Sequence, residues 1–337
     1  MSEDILGIHH ITAIAGEPQR NLDFYAGVLG LRLVKQTVNF DEPTTYHLYY
    51  GDESGNPGTI MTFFPWPGGT KGRRGPGQAT TVKFSVPEGS LPYWVERLRK
   101  NAVSFSSPSI FIGEEFISLA DPDGLTLQMV ARKDTLPESF NRNGPIPPEY
   151  AVSGFHLVTL SVSPNADTID FLEDFLGIRP VALEKGRTRL EVGEMGGSGT
   201  FVDIESTADS QVGLVAVGSI HHVAWRVEND KSQRMWRGVL TKRGVSVKPI
   251  RDRRYFGSSG ICFHEPGNVL FEIATDPPGF GIDEGFRELG DHLMLPSWLE
   301  SKRQSIQRAL PPLDVSATNL SWKRQSDFGL QRRTSTG

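Results

Sequence analysis

Two histidine doublets and one glutamate carry the chemistry in this sequence: His9-His10 in GIHHITAIA, His221-His222 in SIHHVAWRV, and Glu272 in NVLFEIA. Two imidazoles and one carboxylate gathered on one side of a divalent ion leave coordination positions open for substrate and oxygen, the arrangement used by non-haem Fe(II) oxygenases. Strand alternation decides which histidine of each doublet could take part. In TTVKFSVP the apolar Val82, Phe84 and Val86 alternate with Lys83 and Ser85, so the apolar set should face a helix. The same parity sends Val223, Trp225 and Val227 to the helix and leaves His222, Ala224 and Arg226 on the opposite face. In the first segment it turns Ile11 and Ala13 inward and leaves His10 and Thr12 on the open face. That geometry favours Fe(II), while nitrogen and oxygen donors without thiolate would also suit Mn(II), Co(II) or Zn(II).

A single histidine on a strand is by default a hydrogen-bonded structural group, and that is the role expected of His47, His156, His264 and His292 taken singly. The doublets differ because they occupy matched positions with an acid on the right strand. His156, in GFHLVTLSV, stands at the corresponding point of its own segment, so the residues alone leave two donor sets open: His10, His222 and Glu272, or His156, His222 and Glu272. Distance from the glycine of each last hairpin locates the acid. Gly267 leads five residues on to Glu272, Gly58 to Phe63 and Gly199 to Ile204, with Asp203 and Glu205 out of phase. The match of DPDGLTLQMVA to the last segment places Gln128 there. On that count only the last segment supplies a carboxylate.

The elements that must position these residues repeat. LDFYAGVLGLRLV from Leu22 aligns without gaps with IDFLEDFLGIRPV from Ile169, and YWVERLRKNAVSF from Tyr93 resembles MWRGVLTKRGVSV from Met235. Each shows apolar residues at helical spacing, preceded by a strand and followed by short β-rich runs with turn residues between them. The expected fold class is α+β: four βαβββ modules in two tandem halves, paired into cup-like open barrels. The N-terminal half spans 1–135, a Pro-rich polar linker 136–153, the C-terminal half 154–278, and a terminal helix with a polar tail 279–337. One such module leaves a sheet face curved and open, so two must pair, and the resulting cup is a natural ligand site.

Composition narrows the classes. A formal charge of −5 spread along 337 residues, without a run of like charges, excludes a nucleic-acid arm or a polybasic membrane patch. One cysteine, Cys262, rules out an intrachain disulfide and a multi-thiolate zinc site. The start MSEDILGIHH is unlike a secretory signal and no stretch approaches a bilayer-spanning length, so a reducing cytoplasm is the expected location.

GIHHIT, YHLYYGDESGNPGTIMTFFPWP, GSIHHVAW and PGNVLFEIATDPPGF together resemble the vicinal oxygen chelate superfamily, and within it the hydroquinone-type ring-cleaving dioxygenases. The resemblance covers the chain to about Phe280. It implies one Fe(II), with Mn(II) as an alternative, bound by His10, His222 and Glu272, and an aromatic diol and O2 as partners. It also implies supporting roles for His9, Thr12 and His221 and, in the segment before the final hairpin, for Arg253. The sequence SSGICFHEP departs from the usual pattern by placing Cys262 and His264 where Tyr and Arg are expected.

The expected chemistry is binding of a deprotonated catechol or hydroquinone beside O2, with His9, His221 or Arg253 stabilising developing charge and an apolar wall including Phe63 excluding water. The competing enzyme is a glyoxalase-type isomerase, which needs a second acid where Phe63 and Gln128 stand; a metal-free binding protein is the non-enzymatic alternative. Self-association as a homo-oligomer is left open. The loop GGTKGRRGPGQ lacks phosphate-loop spacing and reads as a connector or as a lid carrying Lys71, Arg73 and Arg74. Tyr46, Tyr49 and Tyr50 read as sheet packing, and His47 on the same strand could reach the cup.

Overall fold

The computed structural model describes residues 4–133, 140–164, 167–193, 199–207, 211–247 and 260–316. Module 1 runs from β1 (Ile8–Ala15) through α1 (Pro18–Leu22), which continues as a π-helical turn over Asp23–Val28, to β2 (Arg32–Val38), β3 (Tyr46–Gly51) and β4 (Ile60–Pro65). Module 2 comprises β5 (Gln78–Pro87), α2 (Leu91–Lys100), β6 (Ser109–Phe111), β7 (Glu114–Ala120) and β8 (Thr126–Arg132). Module 3 comprises β9 (Phe155–Val162), α3 (Thr168–Leu176), β10 (Ile178–Glu184), β11 (Arg187–Val192) and β12 (Phe201–Ser206). Module 4 has β13 (Ser219–Val227), α4 (Asp230–Lys242), β14 (Gly260–His264) and β15 (Leu270–Thr275). Its remaining expected strand, and Arg253 with it, lies outside the described residues.

Local chemistry explains these boundaries. Gly177 ends α3 in the left-handed region (φ 67°), and Gly30 plays that part after the first helix (φ 76°). The Asn229 side chain caps α4 by accepting from the Lys231 and Ser232 amides. Leu91, Trp94 and Leu98 give α2 one buried stripe against its sheet. Three of the last hairpins open on an acid that accepts amides of its own turn. Asp52 accepts from Ser54 and Asn56, Asp121 from Asp123 and Leu125, and Glu265 from Gly267 and Val269.

The modules do not pair as tandem halves. One sheet has the order β14-β15-β13-β1-β4-β3-β2 and joins modules 4 and 1; the other, β10-β11-β12-β9-β5-β8-β7-β6, joins modules 3 and 2. Within each module the first and last strands run parallel, and the two modules of a sheet meet through antiparallel β1–β13 and β5–β9 contacts. The apolar set of each first strand faces its helix as parity required: Ile11, Val82, Phe84, Val158, Val223 and Trp225 are fully buried in one core.

The loop from Gly68 to Gln78 is not a lid. Lys71 bridges Val217, Arg73 bridges Leu214 and donates to the Val212 carbonyl, and Arg74 lies 3.5 Å from Glu205, so the connectors of the two halves are laced together. The 140–153 connector is packed rather than loose: Ile146 fills the space beside Gly30, Trp94 donates to the Tyr150 carbonyl, and Tyr93 stacks on Tyr150 at 4.3 Å. The terminal helix α5 (Arg303–Ala309) follows a segment that straps the β2 edge. Gln36 donates to the Gly290 carbonyl and Lys35 pairs with Asp283 at 2.6 Å.

Candidate metal centre

β1 and β13 run antiparallel with His10 opposite Ala224 and Thr12 opposite His222. This register is a local two-fold axis that exchanges the two histidines. Each strand carries one bulge, at His9 in β1 and at His221 in β13. The extra residue breaks strict alternation and turns both rings of each doublet to the same side, a common use of bulges beside functional sites. His9 Nδ1 therefore lies 3.0 Å from His10 Nδ1, and His221 Nδ1 2.8 Å from His222 Nδ1.

These contacts set the tautomers. His9 Nε2 is 3.1 Å from the Thr275 carbonyl, which can only accept, so His9 carries its proton on Nε2 and offers a lone pair at Nδ1. That lone pair accepts the Nδ1 proton of His10 and leaves His10 Nε2 unprotonated. Burial pushes the His9 imidazole down to about 4, which keeps it neutral near pH 7. On the other strand the doublet contact lets His222 be held the same way.

The two Nε2 edges converge. His10 Nε2 and His222 Nε2 are 3.2 Å apart, His222 Nε2 is 3.3 Å from Glu272 Oε2, and the three donors all lie within 4.8 Å of one another. Two ligands bound at about 2.1 Å to one ion stand roughly 3.0 Å apart at a right angle and roughly 3.4 Å apart at a tetrahedral angle, so this spacing suits a shared ion. All three residues are buried, and imidazole lone pairs facing a carboxylate out of water would cost free energy without a cation between them. The residues present fit a divalent metal.

Around the donors, Gly260 lies against the Glu272 carboxylate: a Cβ there would stand 2.6 Å from Glu272 Cδ. The Cys262 thiol is 3.6 Å from Glu272 Oε2. Thr12 Oγ1 is 2.8 Å from Thr62 Oγ1, which is 2.9 Å from His47 Nε2, and His47 Nδ1 is 2.9 Å from the Tyr49 hydroxyl. Sequence reasoning missed Thr62 and the Tyr49 hydroxyl as site groups and gave His47 a structural default, although alternation along β3 and β4 puts all three on the open face. His264 lines a cavity of about 220 Å³ that reaches His221 and His222.

The acid frame drawn from the glycines needs correcting. Glu272 pairs with Ala224, and the two-fold equivalent of Ala224 is Thr12, which pairs with Thr62. Thr62, not Phe63, holds the place of a second acid; Phe63 is fully buried on the helix side, 4.4 Å from the Tyr25 ring, and is not a wall of the cup. The anchor of each frame is the left-handed turn residue four positions earlier: Gly58, Gly124, Gly199 and, in module 4, Asn268 rather than Gly267. Asparagine tolerates that conformation, which put the glycine count out by one.

That frame also places Asp203, paired with Thr159, at the Glu272 position of the second sheet, so Ile204 is not in frame and module 4 is not the only one with an in-frame carboxylate. Thr81 and Leu157 stand there in place of His10 and His222. Lys83, in place of Thr12, puts its ammonium 2.7 Å from Asp203, and Arg189 Nε donates to the same carboxylate at 2.8 Å. His156 is the bulge residue of β9, equivalent to His221, and bonds the Glu114 carboxylate at 2.9 Å. It lies in the other sheet from Glu272, so only the set with His10 is brought together. Burial alone would raise Glu114, but the bonds from His156 and Arg189 outweigh it and hold the carboxyl down at about 2.

Comparison with known proteins accords with this geometry. Residues 7–129 match the family model of the glyoxalase/bleomycin resistance protein/dioxygenase superfamily. MhqO of Bacillus subtilis (strain 168), provisionally named a ring-cleaving dioxygenase, is 44% identical over 94% of this chain and 99% of its own length. The chain belongs to that superfamily. Another member, the chlorohydroquinone/hydroquinone 1,2-dioxygenase of Sphingobium indicum, is 32% identical over 92% of this chain and 97% of its own. A superfamily crystal structure from Bacillus subtilis, provisionally titled a dioxygenase, superposes with a TM-score of 0.86 at 43% identity, covering 93% of this chain and 99% of that one. Glyoxalase I of Zea mays shares the fold at a TM-score of 0.60 and 16% identity, over 80% of this chain and 92% of its own.

Proposed function

We propose that this protein is a ring-cleaving dioxygenase for aromatic diols of the hydroquinone or catechol type, working with one Fe(II) held by His10, His222 and Glu272. The observation that carries the reading is the convergence of two imidazole Nε2 edges and one carboxylate from strands far apart in the chain. The names carried by MhqO and by the Sphingobium enzyme point the same way. Mn(II) is the alternative ion. Bound there, the metal supplies open coordination positions and electron density for a diolate and O2.

The protein's own contribution is positioning and protons. His9 fixes the tautomer of His10 through the Thr275 carbonyl, and His221 stands against His222 by the same Nδ1–Nδ1 contact. Thr12 and Thr62 hold a hydroxyl pair beside them. The Phe64 ring, 5.8 Å from His221 and 4.2 Å from His47, helps keep water from the cup. Arg253 is proposed, from the resemblance alone, to stabilise charge on the substrate. Cys262 takes the place of the usual tyrosine and sits on the Glu272 carboxylate, so an acid/base group must come from elsewhere. A glyoxalase-type isomerase would need a second acid, and Thr62 occupies that position.

The test is anaerobic loading with Fe(II) followed by hydroquinones and catechols in the presence of O2. Oxygen uptake is expected, with both bound iron and uptake lost in His222→Ala. Iron-loaded protein that consumes no oxygen with either class would overturn the reading.

A further inference from the structure

The hydrogen-bonded line that starts at Thr12 crosses three neighbouring strands without a break. Thr12 pairs in register with Thr62, and Thr62 pairs in register with Tyr49. Thr12, Thr62, His47 and Tyr49 are each at least nine-tenths buried, and their links measure 2.8, 2.9 and 2.9 Å. Structural threonines on a sheet commonly bond to backbone or to one another. Here the line runs on through both nitrogens of a buried imidazole to the Tyr49 hydroxyl, which a purely structural threonine pair does not need.

Its location gives it a use. Thr62 is the two-fold counterpart of Glu272 with a side chain two carbons shorter, so its buried hydroxyl stands at the register position that a second carboxylate would have held. We propose that Thr62, His47 and Tyr49 form a proton path serving that position, with His47 the group that receives the proton an aromatic diol gives up on entering; the proposal rests on the function read above. The diol O–H bond breaks, the oxygen keeps the electron pair as a phenolate, and the proton passes to Thr62 Oγ1 as the hydroxyl's own proton passes to His47 Nε2. No electron is transferred. For this His47 must carry its resting proton on Nδ1, donated to the Tyr49 oxygen, and the resulting imidazolium keeps that bond.

The path also supplies the acid/base capacity that Cys262 lacks. Among the described residues, the groups packed about His47 come from its two neighbouring strands and the C-terminal strap. On β2, Thr37 pairs opposite His47, and Lys35 pairs opposite Tyr49 with its ammonium tied to Asp283 from the strap. On β4 the Phe64 ring lies at 4.2 Å with His221 beyond it, and Phe280 covers Tyr49 at 5.3 Å.

The experiment uses whole protein loaded anaerobically with Fe(II) and titrated with 4-nitrocatechol and nitrohydroquinone, whose absorbance reports ionisation. In the wild type the bound ligand should ionise well below its pH in water. His47→Gln and, independently, Thr62→Val should move that midpoint up by one pH unit or more with metal content and melting temperature unchanged, and Tyr49→Phe should move it the same way by less. Thr62→Val keeps shape and removes only the hydroxyl, so it decides the matter if His47→Gln folds poorly. Unchanged midpoints in both variants would sink the path alone, whereas loaded wild type that binds neither ligand would remove the underlying function as well.

Discussion

Gly260 governs where the Glu272 carboxylate can stand, because a methyl group there would overlap the carboxyl carbon and its Oε1 oxygen. Gly260→Ala is therefore expected to weaken metal binding by roughly 10–100-fold, the usual scale for disturbing a ligand's supports, while the melting temperature of the metal-free protein changes little. Equilibrium metal titration beside thermal unfolding checks this, and unchanged affinity would show that the carboxylate has another place to go. The convergence of the three candidate ligands was legible in part: alternation around Ile11 and Val223 sorted His10 and His222 from their neighbours. What alternation could not reveal was that His9 and His221 turn back toward the same side, since a bulge depends on the register of a partner strand more than two hundred residues away.

The turn acids act at the level of the hairpin. Burial, helped by the Asp123 charge, pushes the Asp121 carboxyl up to about 6 against bonds from its own turn and from Tyr25. A raised folded value means the folded state holds the proton more tightly than the unfolded chain. The associated stability is complete below about pH 4 and is lost as pH rises through about 6. The tighter hold on that proton corresponds to at most about 3 kcal/mol. Asp121→Asn should flatten that part of the stability profile, read from urea midpoints between pH 4 and 7; a variant with the wild-type slope would mean another group titrates there. Helices and strands were readable because Leu-Gly and Asp-Gly punctuate them. The acid frame landed one residue late in modules 1 and 3, on Phe63 and Ile204, for a nameable reason: it was anchored at Gly267, whereas Asn268 takes the left-handed position that glycine holds in the other three hairpins.

For the molecule as a whole, the two sheets are two versions of one vessel. The second replaces the imidazoles with Thr81 and Leu157 and neutralises its in-frame Asp203 with Lys83 and Arg189. Lys83→Met is expected to cost roughly 2–4 kcal/mol, since it strips a buried charge of one partner, yet to leave metal content at one ion per chain. Unfolding and metal analysis of the same preparation separate the two effects. The pairing of modules was the part that strand periodicity could not disclose, because strand patterns are alike in all four; in the fold the β1–β13 and β5–β9 contacts join first with last and second with third. That pairing orders the life of the chain. Synthesis completes the eight-stranded sheet once residue 206 has emerged, whereas His10 must wait for a partner 212 residues downstream. The sheet without the histidine donors can thus stand complete while the other still lacks its second imidazole, so the three candidate ligands meet only in the last stage of biogenesis.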